Sequence, residues 1–137
     1  MAYLLDTNVV SELRRRKPDP HVAAWADRHA PAITYLSVLV VGEIRQGIER
    51  KRPNDPTQAD MLERWLDDLV RLYRDRILPV TMDIAQEWGR MNPAARPPII
   101  DGLLVATARV HRLTLVTRNV ADVARTGVPV ANPFEPS

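Results

Sequence analysis

Cysteine is absent from this 137-residue sequence. That excludes disulfide scaffolds, structural Cys–zinc sites, thiol nucleophiles and iron–sulfur clusters. Aromatic residues make up only 5% of the chain, too few for a broad base-stacking platform. Lysine occurs only at 17 and 51, so arginine supplies nearly all the positive charge. The net charge is +2 although the pI is about 9.4. The five glycines are scattered and form neither GxGxxG nor GxxxxGK[ST], which removes the phosphate-cradling loops. No apolar run approaches the roughly 18–20 residues that a membrane-spanning helix needs. The opening Met1-Ala2-Tyr3-Leu4-Leu5-Asp6 has no basic start and meets a carboxylate too early for a signal peptide. The expectation is a cytoplasmic protein with no membrane partner.

What is present reads as a single domain over 1–137. A chain of 15.5 kDa buries about two thirds of its unfolded surface, enough for a core without staples. The twelve prolines fall mostly between apolar segments. Ala2–Leu5 reads as a buried strand, followed by a helix carrying Val9, Val10 and Leu13 and broken at Pro18 and Pro20. Val22–His29 reads as a second helix, Ile33–Leu36 as a strand, and Ser37 as the cap of a helix over 38–51. A long amphipathic helix is expected from Thr57, with Leu62, Trp65, Leu66, Leu69 and Tyr73 on one face. Ile77–Thr81 follows as a strand and Asp83–Met91 as a helix. Ile99–Val110 is so apolar that it reads as a largely buried helix, Leu113–Thr117 as a strand and Val128–Ala131 as a short fifth strand. Alternating strands and helices predict a mostly parallel sheet of four to five strands with helices on both faces. In such sheets ligands bind beyond the carboxyl ends of the strands, where strand order reverses. Asp6 stands at such an end.

Three acids sit in apolar surroundings. Asp6 follows Tyr3-Leu4-Leu5, Glu43 lies beside Leu39, Val40 and Gly47 on its helix, and Asp101 lies between Ile99-Ile100 and Gly102-Leu103-Leu104. Each has a local explanation: a helix cap for Asp6, an arginine partner for Glu43, a helix dipole for Asp101. Together they point to a shared acidic site, because clustered carboxylates repel and call for a cation. Oxygen ligands without cysteine or an HxxxH-type pair favour magnesium, with manganese as a substitute. Such an ion polarises a phosphoryl oxygen and activates water, which leads to phosphodiester hydrolysis. His21, His29 and His111 show neither metal nor triad spacing and read as solvated residues. Asp6-Thr7-Asn8 has the start of a haloacid dehalogenase-type phosphatase, but that chemistry wants a second Asp where Asn8 stands.

The segments Leu4-Leu5-Asp6-Thr7-Asn8, Tyr35-Leu36-Ser37 leading to Val41-Gly42-Glu43-Ile44, Asp101-Gly102-Leu103-Leu104-Val105-Ala106 and Leu115-Val116-Thr117-Arg118-Asn119 run through almost the whole chain. In that order they resemble PIN-domain ribonucleases, in particular the toxins of VapBC-type toxin–antitoxin pairs and among them the FitB-type branch. Ala131-Asn132-Pro133-Phe134 is similar to the usual family ending. The resemblance implies a three-layer α/β/α fold and a magnesium-dependent endoribonuclease. It assigns Asp6, Glu43 and Asp101 to the metal site, Asp6 and Asp101 being the direct ligands. Thr7, Ser37 and Thr117 are supporting hydroxyl positions around it. It further implies a homodimer, a cognate VapB-type antitoxin, an RNA substrate, and operator DNA reached only through the antitoxin.

The family's fourth acidic position falls on Asn119, with Asp122 three residues on. One expectation puts the Asn119 side chain near the metal through a water and leaves Asp122 to the dipole of the next helix. The competing expectation gives the fourth position to Asp122. The Asn also supports an alternative in which catalysis is weakened and the protein acts as a binding module or co-repressor. A PIN nuclease of RNA maturation is a further alternative. Arg14-Arg15-Arg16-Lys17 and Arg50-Lys51-Arg52 are two basic runs, read either as solvated helix ends or as RNA-backbone contacts.

Overall fold

The computed structural model describes residues 1–29 and 33–136. Strand β1 (Tyr3–Leu5) leads into helices α1 (Thr7–Arg14) and α2 (Pro20–Arg28). Strand β2 (Thr34–Ser37) is followed by α3 (Val38–Lys51) and α4 (Pro56–Leu72), then β3 (Ile77–Leu78). Helices α5 (Met82–Gly89) and α6 (Ile99–His111) precede β4 (Thr114–Val116), and α7 (Val120–Val123) precedes β5 (Val130–Ala131). The five strands form one all-parallel sheet in the order β3-β2-β1-β4-β5. Right-handed crossovers set α1–α4 on one face and α5–α7 on the other, which makes the three layers.

The central strand is covered on both faces, and its residues show it: Tyr3, Leu4 and Leu5 are all buried. On α3 the buried residues are Val40, Ile44 and Ile48, a strict four-residue spacing. On α4 they are Ala59, Leu62 and Leu66, with Tyr73 buried just beyond the helix. Helix α6 is buried from Gly102 through Ala108 apart from Leu103, as its composition predicts, while Ile99 at its start is exposed. No helix among the described residues is long and apolar enough to cross a membrane.

Two prolines stand inside helices. Pro20 and Pro56 are first-turn residues of α2 and α4, capped by Asp19 and Asp55. Proline suits this position because its missing N–H has no partner there and its φ is already helical. The break expected at Pro20 is therefore a helix start, and α4 begins one residue before Thr57. Strand β3 stops at Leu78, before Pro79 can interrupt the ladder, and Thr81 caps α5 instead of extending the strand. Helix α5 ends at Gly89, short of the expected Met91.

His29 is not a solvated residue. Its ring stacks on Trp25 with centroids 4.2 Å apart, meets Tyr3 edge-on, and its Nδ1 lies 2.6 Å from the Trp25 carbonyl oxygen. The signal was available in the four-residue spacing of Trp25 and His29 on one helix face.

The candidate acidic site

Connections from β1 run toward β2, and those from β4 run toward β5, so strand order reverses between β1 and β4. The crevice at the carboxyl end of that pair is where ligands bind in open parallel sheets. Asp6 and Thr117 form its floor. The Asp6 N–H donates to the Val116 carbonyl (2.9 Å), which carries the β1–β4 ladder past the last strand residue. Extended backbone at Asp6 then turns into α1, and Asp6 Oδ1 accepts the Thr7 N–H (2.7 Å) as the helix cap. Asp6 Oδ2 accepts the Thr117 hydroxyl (2.7 Å). Asp6 is 6% exposed, so these bonds hold a nearly buried residue's charge in one orientation.

Glu43 reaches the crevice from α3. Its Oε1 accepts the Thr7 hydroxyl at 2.6 Å, so the arginine partner open to it in the sequence is replaced by Thr7. Asp101 comes from the opposite face, in the first turn of α6. Burial first, then the charges of Asp6, Asp122 and Glu43, push its carboxyl up to about 6. The charges of three carboxylates, from both helical layers, therefore reach Asp101 at this crevice. Among the described residues, no group of three or more acidic or histidine side chains is placed to hold a metal ion directly. An all-oxygen donor set of this kind suits a cation that keeps most of its waters, as magnesium does with one or two carboxylates.

The supporting residues divide. Thr7 and Thr117 orient Glu43 and Asp6. Ser37 is fully buried and its hydroxyl accepts the Leu39 N–H (3.0 Å), so it caps α3 and thereby carries Glu43. Asn119 occupies the cap position of α7, yet its side chain makes no capping bond; its N–H donates to the Thr117 hydroxyl (3.0 Å) and its carbonyl accepts the Asp122 N–H (3.1 Å). Asp122 lies in the first turn of α7, and its charge acts on Asp101.

In the sequence Asn8 closes the Leu4-Leu5-Asp6-Thr7-Asn8 segment and excludes a phosphatase, but no site role is expected of it. In the structure it clamps the two strand ends. Its Nδ2 lies 3.3 Å from Asp6 Oδ2 and 3.4 Å from Thr117 Oγ1, while its Oδ1 accepts the Arg118 N–H (3.2 Å). Its place two residues after Asp6, at the start of a helix leaving a central strand, was the available signal.

An open parallel sheet with carboxylates from both helical layers at its switch point defines an α/β/α domain with an acidic crevice. The chain belongs to the PIN domain family, which matches residues 3–127. Toxin FitB of Neisseria gonorrhoeae is 33% identical over 136 residues, covering 96% of this chain and 97% of its own. The VapC ribonuclease Y4jK of Sinorhizobium fredii is 30% identical over 139 residues, covering 98% and 99%. A solved structure of FitAB bound to an IR36 DNA fragment superposes with a TM-score of 0.90 at 30% identity, over 98% of this chain and 97% of that one.

Proposed function

We propose that this chain is a metal-dependent endoribonuclease and the toxin half of a toxin–antitoxin pair. The observation that carries the reading is the Asp6 carboxylate held by Thr7 and Thr117 at the β1–β4 switch point, with Glu43 tied to the same Thr7. The relatives named as a toxin and as a VapC ribonuclease, and the FitAB complex with DNA, support the same reading. The partners would be a cognate antitoxin, a second copy of this chain, RNA as substrate, and operator DNA through the antitoxin alone. With RNA as substrate, the reading has the protein working in the cytoplasm.

The resident cation would be magnesium, with manganese able to replace it, held by Asp6 and Asp101 and assisted by Glu43 and Asp122. A divalent ion there supplies polarisation of a phosphoryl oxygen and acidification of a water for in-line attack. The residues of the chain do the rest. Thr117 and Asn8 hold Oδ2 of the Asp6 carboxylate, and Oδ1, which accepts the Thr7 N–H, keeps a further acceptor position. Thr7 holds one oxygen of Glu43 and leaves Oε2 to accept from water. Asp101 takes or releases a proton near neutrality until a cation compensates its neighbours.

The test is cleavage of single-stranded RNA by purified protein with magnesium, with excess EDTA, and with Asp6→Asn. We expect magnesium-dependent cleavage that Asp6→Asn abolishes while the fold and antitoxin binding persist. Cleavage unchanged in EDTA overturns the metal, and full activity of Asp6→Asn overturns the site.

A further inference from the structure

A cleft of about 220 Å³ opens between α1, α3 and α4 beside the acidic crevice. Thr7 and Glu43 form the end nearest the crevice, and Arg14, Arg50 and Lys51 line it farther out with Trp65. Among the described residues none of these three cations makes an ion pair. Arg52, the next residue, differs: Glu49, Asp60 and Glu63 hold it at the α3–α4 junction. The basic run thus divides into a structural arginine and two free cations that share the cleft with Arg14.

Trp65 lines the cleft, is only half-buried, and already accepts a cation, with the Arg14 guanidinium 5.8 Å from its ring centroid. Gly47 leaves a bare stretch of α3 there: a Cβ at 47 would lie 3.8 Å from the Arg50 guanidinium. Free cations, an aromatic face and an unfilled helix surface are the parts of a single-stranded nucleic-acid subsite.

Resting on the proposed function, we infer that this cleft holds one unpaired nucleotide of the RNA, next to the phosphate at the carboxylates. Its base lies against Trp65, and its phosphate meets Arg14, Arg50 and Lys51, away from the negative end at Glu43. A base lies against an aromatic side chain only when it has left its duplex stack, so the strand entering the cleft is single.

The experiment measures binding of a fluorescein-labelled 12-nucleotide single-stranded RNA to Asp6→Asn protein by anisotropy, across a series of salt concentrations. Arg50→Gln and Lys51→Gln should each make the slope of log K against log salt shallower by about 0.7, the value for one phosphate contact on a single strand. Arg112→Gln, at the opposite end of α6 from Asp101, removes the same charge and should leave the slope unchanged. Gly47→Leu should weaken binding tenfold or more with the slope intact; it fills the cleft without removing charge and suits a helix better than glycine. Trp65→Leu should weaken binding similarly.

Slopes equal to that of the Asp6→Asn parent in both glutamine variants, or undiminished binding by Gly47→Leu, overturn the subsite. If these variants bind RNA normally but lose a co-expressed antitoxin, the cleft is a protein-docking groove and the inference is wrong. The underlying function fails separately: wild type then cleaves no RNA, and the Asp6→Asn protein binds none.

Discussion

Thr117 donates its hydroxyl to Asp6 Oδ2 at 2.7 Å, joining the ends of β4 and β1 across 111 residues of chain. The same hydroxyl oxygen accepts the Asn119 N–H and lies 3.4 Å from Asn8 Nδ2. Thr117→Val keeps the shape and removes these bonds, leaving a nearly buried carboxylate oxygen with Asn8 alone. We expect a loss of about 1–3 kcal/mol in urea unfolding, from the lost partner of a buried group. RNA cleavage should fall as well. Thr117→Ser, which keeps the hydroxyl, should retain most of both.

The raised titration of Asp101 sets a direction for stability with pH. Its folded value of about 6 lies above the ordinary 3.8, so between these values the native state binds a proton that the unfolded chain does not. Stability without metal should therefore rise as pH falls from about 6 to about 4, and this contribution is constant outside that window. Asp101→Asn should flatten this part of the profile. Magnesium opposes the same repulsion, so its binding should weaken below pH 6 as Asp101 takes up a proton. Denaturation midpoints across pH, with and without magnesium, measure both effects against the opposing loss from the arginine-paired Glu49 and Glu63; a profile from pH 6 to pH 4 identical in wild type and Asp101→Asn contradicts the assignment.

Asp122 and Asn119 are the two candidates for the fourth position. Both are exposed, but the charge felt by Asp101 is that of Asp122. We expect Asp122→Asn to lower the Asp101 titration and to weaken magnesium several-fold in a cleavage titration. Asn119→Ala should have the smaller effect, since its side chain makes no capping bond and its N–H remains for Thr117. The reverse ranking would return the fourth position to Asn119.

Gly102 lets Trp88 lie against the first turns of α6. A Cβ at 102 would stand 3.1 Å from Trp88 Cδ1 and Nε1, closer than ordinary van der Waals contact. The Trp88 indole N–H is itself buried with no hydrogen-bond partner among the described residues. Gly102→Ala should displace the indole or the turn that carries Asp101, at a cost of about 1–3 kcal/mol. Its cleavage should fall by more than its stability alone explains. Adding Trp88→Leu should recover part of both losses; a double variant no better than Gly102→Ala would show that Trp88 is not the obstacle.

How far the sequence could be read follows from how local each cause is. Ser37 beneath α3 and the apolar faces of α3 and α4 were legible because capping and helical periodicity act within a few residues. Pro20 and Pro56 misled for a local reason too, since a proline between segments marks a break or a first turn equally well. The acidic site was visible in Asp6, Glu43 and Asp101 because a carboxylate in an apolar run is costly wherever it occurs. The sequence by itself thus determined the parallel alternation, the element that carries each of these acids, and the family. Tertiary structure alone decided what they touch. Thr7 meets Glu43 across 36 residues and Thr117 meets Asp6 across 111, distances at which no spacing rule operates. The clamp at Asn8, the pressure of Asp122 on Asp101 and the splitting of the Arg50–Arg52 run between ion pairs and a free cleft arise in the same way. Each depends on which elements the β3-β2-β1-β4-β5 order brings to one edge of the sheet, and electrostatic and hydrogen-bond energies depend on distance in space, not along the chain.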